Sequence, residues 1–211
     1  MGGMGELIVL AERLADRSRP APGRAAAFFF DLSCPFSYLA AERVERILGD
    51  AEWIPTSGGP LGGLVWAQSP AARREAERRA VELRLPLVWP DGFPAASALR
   101  AAAYAAEIGA GARFALAASR LAFCGGFDLC DREILAEAAA AAGVPIDQCL
   151  AAAGDPGRDA PLLATARGLI ARGVSELPAV RIEQRWIGGE RALAAAGALM
   201  RAAGRPLAPA S

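Results

Sequence analysis

Cys34 stands in Phe28-Phe29-Phe30-Asp31-Leu32-Ser33-Cys34-Pro35-Phe36-Ser37-Tyr38, where an apolar run meets a proline able to open a helix. A cysteine at such a junction faces the unpaired N–H groups and the positive end of the helix dipole, both of which favour thiolate over thiol. Pro35 suits the first helical turn, because the N–H it lacks would have no partner there. The arrangement predicts a nucleophilic thiol. Ser37 sits where a Cys-x-x-Cys redox pair would carry its second sulfur, so the expected site has one thiol with a hydroxyl beside it.

The rest of the composition removes helpers. The 211 residues contain no histidine, and all 23 basic residues are arginine. Without histidine there is no Ser-His-Asp or Cys-His pair, no imidazole base and no histidine metal ligand. Without lysine there is no Schiff base and no P-loop. Gly58-Gly59-Pro60-Leu61-Gly62-Gly63 therefore reads as a turn-rich loop and not as a phosphate cradle. Cys124, Cys130 and Cys149 form no Cys-x-x-Cys pair, so no metal site is expected and these three thiols read as structural. The formal net charge is zero, which gives no general pull toward nucleic acid or an anionic membrane. The apolar stretch between Glu6 and Arg17 is too short to span a bilayer and unlike a signal peptide, which makes the cytoplasm the default compartment.

The thiol needs a scaffold, and the patterning supplies one. Residues 6 to 17 have helical spacing, and the Pro- and Gly-rich stretch from Ser18 to Gly23 breaks it. Ala25 to Phe30 reads as a doubly buried strand, Pro35 to Leu48 as a helix closed by Gly49, and Ala51 to Pro55 as a second strand. A mostly helical stretch follows: Arg73 to Leu85, a proline-punctuated connector from Pro86 to Pro94, then Ala96 to Gly109, Ala112 to Phe123, Arg132 to Ala142 and Ile146 to Ala153. Its alanines suit close helix packing. A helix from Pro161 to Arg172, a strand from Ala179 to Glu183, a tight turn at Gln184, a partner strand from Arg185 to Ile187 and a helix from Glu190 to Ala203 complete the chain. The expected fold is α/β: a thioredoxin-like domain (β-α-β, then α-β-β-α) with a large all-α insertion. The corresponding boundaries are an extension at 1–24, a discontinuous thioredoxin-like domain at 25–66 and 168–205, a helical insertion at 67–167 and a tail at 206–211.

Two distant segments carry a family likeness: Phe30 to Ala40 around Cys34, and Gly173-Val174-Ser175-Glu176-Leu177-Pro178 with Ile187-Gly188-Gly189-Glu190-Arg191-Ala192-Leu193. Together they resemble the DsbA-like branch of the thioredoxin superfamily, and within it the 2-hydroxychromene-2-carboxylate isomerases and kappa-class glutathione transferases. The resemblance implies that Pro178 is cis and presents the Leu177 backbone to the cysteinyl part of glutathione or another low-molecular-weight thiol bound at Cys34-Pro35. It also implies that Gly189-Glu190-Arg191, at a helix start, meets the γ-glutamyl end, backbone N–H groups taking its carboxylate and Glu190 its ammonium. A small-molecule substrate follows, with neither nucleic acid nor membrane as partner. A homodimer is also expected, as in many such relatives.

Three departures bear on the chemistry. Cys34 replaces the serine of the isomerases and transferases, Ala96 falls where many isomerases carry asparagine, and Glu190 replaces the usual aspartate. Three functions therefore stay open. The leading one is a thiol-dependent isomerase or transferase for a small aromatic or electrophilic substrate, with Ser37 and helix-end N–H groups supporting the cofactor's thiolate. The second is a monothiol disulfide oxidoreductase using Cys34, in which Cys124 is a conceivable resolving thiol. The third is a thiol-binding protein without turnover.

Overall fold

Five consecutive buried residues, Ala26–Phe30, form strand β1 at the centre of the sheet. The computed structural model describes residues 26–61, 69–92 and 96–202. The expected helix at 6–17 and the extension, part of the glycine-rich loop, Phe93-Pro94 and the tail lie outside these residues. β1 alternates its side chains between two cores. Ala26, Phe28 and Phe30 face one core, while Ala27 and Phe29 face the other. On the first side Phe28 stacks on Phe30 with ring centroids 5.8 Å apart and meets the edge of Trp53 at 5.0 Å.

Helix α1 (Pro35–Leu48) follows β1 and buries Tyr38, Leu39, Val44 and Leu48 against the first core. Gly49 ends it at φ 68°, returning its N–H to Glu45 O at 2.9 Å. Strand β2 (Glu52–Pro55) then pairs parallel to β1. After a short 3-10 turn at Gly59–Leu61, five helices form the insertion: α2 (Pro70–Leu83), α3 (Ala96–Glu107), α4 (Gly111–Phe123), α5 (Arg132–Ala142) and α6 (Ile146–Ala153). Their core is built on buried alanines, including Ala98, Ala101, Ala118, Ala122, Ala138 and Ala139, with Phe114 and Phe123 filling the wider gaps. Helix α2 starts earlier than its charge pattern predicts, because Ser69 accepts the Ala72 N–H and Pro70 opens the first turn.

Helix α7 (Asp159–Ile170) returns the chain to the sheet. Its Ala166 and Leu169 pack on Ala27 and Phe29. A division at 167/168 falls inside this single helix, whose first residue Asp159 pairs with Arg100 of α3 at 2.6 Å. Strand β3 (Ala179–Ile182) runs antiparallel to β1, and β4 (Arg185–Gly188) antiparallel to β3. The order is β2-β1-β3-β4. The hairpin turn takes two residues, Glu183 and Gln184, with Glu183 at φ 53°, so the strand stops one residue short of its expected end. Helix α8 (Ala192–Ala202) closes the fold against α1, with Gly197 allowing Ile47 close approach. It begins two residues after Glu190, and Gly189, Glu190 and Arg191 form the turn before it.

Candidate functional site

Cys34 caps α1 in extended conformation, at φ −100° and ψ 115°. The turn that delivers it is closed by Cys34 N–H donating to Asp31 O at 3.1 Å. The Ser37 N–H and hydroxyl and the Phe36 N–H all favour its thiolate, as the sequence position predicts. Burial outweighs them. The side chain is 3 % exposed, and desolvation pushes the thiol up to about 11, with the nearby Asp31 carboxylate adding to the rise. Burial thus works against the expected thiolate and favours the thiol, whose Sγ donates to Leu177 O at 3.8 Å. Cys34 alkylation by iodoacetamide, followed by peptide mass spectrometry, is expected to run about a hundredfold slower near pH 8 than in the unfolded chain and to climb as pH approaches 11. A rate equal to that of the unfolded chain overturns this.

Asp31 holds the loop that carries Cys34. Its Oδ1 accepts the Ser33 N–H at 2.7 Å and the Ser33 hydroxyl, and its Oδ2 accepts the Gly58 N–H. The side chain is buried, and desolvation raises its pKa in spite of these three donors. The Asp31 N–H in turn donates to Ser37 Oγ at 3.3 Å, which fixes Ser37 beneath the sulfur. Sequence reading gave Asp31 no role beyond its place in the motif. Its signal was the Asp-x-Ser spacing, which lets a carboxylate bind the backbone two residues on.

The Leu177–Pro178 peptide is cis, and the Leu177 carbonyl faces the Cys34 thiol. A thiol donor, helix-end N–H groups and an adjoining loop backbone thus converge at one place, and these residues suit the sulfur end of a thiol cofactor. The far end departs from expectation. The Gly189 N–H is already spent on Pro178 O at 2.9 Å and Glu176 O at 3.2 Å, so it does not serve a ligand carboxylate. Glu190 pairs with Arg79 of α2 through Oε1 and with Arg191 through Oε2 at 3.5 Å. Its Oε1 is buried and accepts no hydrogen bond among the described residues, so the arginines hold this carboxylate by charge and leave it an open acceptor.

A cavity of about 270 Å³ opens beside the Asp31-Leu32-Ser33 loop, walled by Ser57, by Ala96 and Leu99 of α3, and by Leu162 of α7. Ala96 makes that wall apolar. Cys124 lies elsewhere: its Sγ is 3.1 Å from the Tyr38 hydroxyl, which itself donates to Pro86 O at 2.8 Å. Tyr38 also stacks on Phe123. All four cysteines are free thiols, and Cys149 is wholly buried. Among the described residues no His, Cys, Asp or Glu group could hold a metal ion. Nor is any described helix long and apolar enough to cross a membrane.

The fold has counterparts in known proteins. The model of the DSBA-like thioredoxin domain matches residues 26–199. Among solved structures, a 2-hydroxychromene-2-carboxylate isomerase superposes with a TM-score of 0.69 at 16% identity, covering 84% of this chain and 95% of its own. The cytosolic disulfide reductase DsbM from Pseudomonas aeruginosa, solved with GSH, superposes with a TM-score of 0.59 at 17% identity, covering 86% of this chain and 99% of its own. At these identities the likeness establishes the fold. No curated protein sequence matches the chain.

Proposed function

That the chain belongs to the DSBA-like thioredoxin domain family is the premise from which we propose a thiol-dependent isomerase or transferase of the 2-hydroxychromene-2-carboxylate isomerase type. It acts on a small aromatic or electrophilic substrate with glutathione or another low-molecular-weight thiol. The observation that carries this reading is the seat of Cys34, buried at the start of α1 with its Sγ 3.8 Å from the carbonyl of the cis Leu177–Pro178 peptide. A thiol pushed up to about 11 is a poor nucleophile for disulfide exchange, which needs the thiolate. It is a serviceable hydrogen-bond donor, which is the part a serine plays at this position in the isomerases that the sequence resembles.

The bound thiol supplies a polarisable sulfur nucleophile. The chain's own residues do the rest. Cys34 Sγ–H, with the helix-end N–H groups of Phe36 and Ser37 behind it, offers hydrogen bonds to negative charge on the cofactor's sulfur. Such donors act without reorganising at the moment of reaction, because Asp31 and the start of α1 already hold them in place. The Leu177 carbonyl, freed when the Cys34 proton turns to the ligand, accepts from the ligand's amide. The cavity beside Ser33 receives an apolar ring between Leu99 and Leu162.

The test is a spectrophotometric assay for isomerisation or conjugation across a panel of aromatic and electrophilic substrates, with and without added glutathione. Turnover that requires the thiol is expected. Turnover without it, or glutathione binding with no turnover on any substrate, overturns the reading. A prompt glutathione adduct on Cys34 after treatment with oxidised glutathione points instead to the disulfide reductase chemistry named for DsbM.

A further inference from the structure

Four polar side chains line the cavity beside Ser33, those of Asp31, Ser33, Ser57 and Asp159, and what they offer a ligand is mostly acceptors. The Ser33 hydroxyl gives its hydrogen to Asp31 Oδ1, which leaves Ser33 Oγ able only to accept. Every group that meets the Asp31 carboxyl is a donor: the Ser33 N–H, the Ser33 hydroxyl and the Gly58 N–H. Asp159 likewise takes two donors from Arg100, at 2.7 and 2.6 Å. Ser57 differs from these three. Its N–H donates to Leu162 O at 3.5 Å, while its hydroxyl makes no hydrogen bond among the described residues.

No cation is left to balance this set. No lining side chain is basic, and Arg100 spends Nε and one terminal nitrogen on Asp159 and the other on Ala153 O at 3.3 Å. A substrate carboxylate placed here would face the oxygens of Asp31, Ser33 and Asp159 without a counter-charge. A ring that carries a hydroxyl or an amine meets the same oxygens as a donor, and gives the Ser57 hydroxyl its missing partner. Size sets a further limit. The cavity measures about 270 Å³, and an apolar cavity of about 150 Å³ already holds benzene, so one ring with short substituents fits.

We infer that the cavity selects a single aromatic ring bearing a hydrogen-bond donor, a hydroxyl or an amine, that it excludes a ring bearing a carboxylate, and that Ser57 is the residue that reads the donor. The inference rests on the thiol-dependent reading above and narrows its substrate class. The position of the cavity serves that reading, because its Asp31-Leu32-Ser33 wall is the turn that delivers Cys34, closed by the Cys34 N–H on Asp31 O at 3.1 Å. A site built to hydrogen-bond a substrate group rejects the analogue that lacks it more strongly than an apolar pocket rejects an added group. The analogue here is the methyl ether, which keeps the oxygen and cannot donate.

Ligand-observed NMR titrations of the full-length protein, with and without glutathione, compare para-cresol, para-toluidine, para-methylanisole and para-toluate. The cresol and the toluidine are expected to bind about tenfold more tightly than the methyl ether, and the toluate more weakly than all three. Ala96→Trp, at an exposed residue on the cavity wall, is expected to abolish binding by filling the space. Rings that bind this variant unchanged bind elsewhere and overturn the inference. Ser57→Ala is expected to bring the cresol and the methyl ether to within about twofold of each other, with the toluate still excluded. A cresol preference that survives in Ser57→Ala overturns the assignment to Ser57. The methyl ether or the toluate binding as tightly as the cresol, or no ring binding in either condition, overturns the inference as a whole. The thiol-dependent reading is judged apart from it: glutathione-dependent turnover of substrates whose rings carry no donor keeps that reading and overturns this inference.

Discussion

Replacing Cys34 by alanine is expected to cut thiol-dependent turnover about 10²–10³-fold, whereas Cys34→Ser keeps it within about tenfold of the parent. The scale is that of removing one preorganised donor from a site where negative charge is held. Alanine deletes the Sγ–H that the structure aims at Leu177 O. Serine restores a donor in the same direction, on a shorter bond. The asymmetry between the two variants is the informative result, because disulfide exchange through Cys34 sulfur would be lost in both. Initial rates at saturating thiol and substrate measure it. Equal loss in the two variants sinks the donor role.

Asp31→Ala is expected to lower stability by about 2–4 kcal/mol. The substitution leaves the buried N–H groups of Ser33 and Gly58 without their acceptor, and an unpaired buried donor costs about 1–3 kcal/mol. Part of that is offset, since the carboxylate itself is held at a desolvation cost. The offset has a sign that pH reveals. A carboxyl whose folded pKa lies above its unfolded value stabilises most at low pH, and this contribution is lost as pH rises through the folded value. The stability of the parent relative to Asp31→Asn should therefore be greater when measured at about pH 4 than at about pH 8. Urea melts of both proteins at the two pH values check this, and a difference that grows with pH contradicts the assignment. The alanine variant should also expose Cys34 to alkylation, as the loop that buries it loosens.

Much of this arrangement is readable from the residues. The Phe triplet, the Cys-Pro junction and Leu177-Pro178 each sit on the predicted element, because doubly buried strands and proline-opened helices leave strong local marks. What escaped was set by distant partners. The burial that raises the Cys34 pKa is created by the whole fold, and local helix-end chemistry points the other way. The commitment of Glu190 to Arg79 joins residues far apart in the chain, and no spacing rule announces it. The turn at Glu183 places a non-glycine residue at positive φ, against the usual preference, so pattern reading put it in the strand. Nor does any local pattern announce that Ala166 and Leu169 of α7 pack on Ala27 and Phe29 of β1.

Helix α7 lends Leu162 and Leu163 to the cavity and Ala166 and Leu169 to the floor of the sheet, all from one unbroken rod. The two sides of the cavity therefore differ in how they can be re-engineered. Ala96 and Leu99 belong to the insertion and travel with it, so exchanging that block for a relative's changes one wall as a cassette. The opposite wall cannot be swapped without disturbing the packing beneath β1. Selection for new substrates in this chain should accumulate its changes on the α3 side and leave α7 as the fixed jaw.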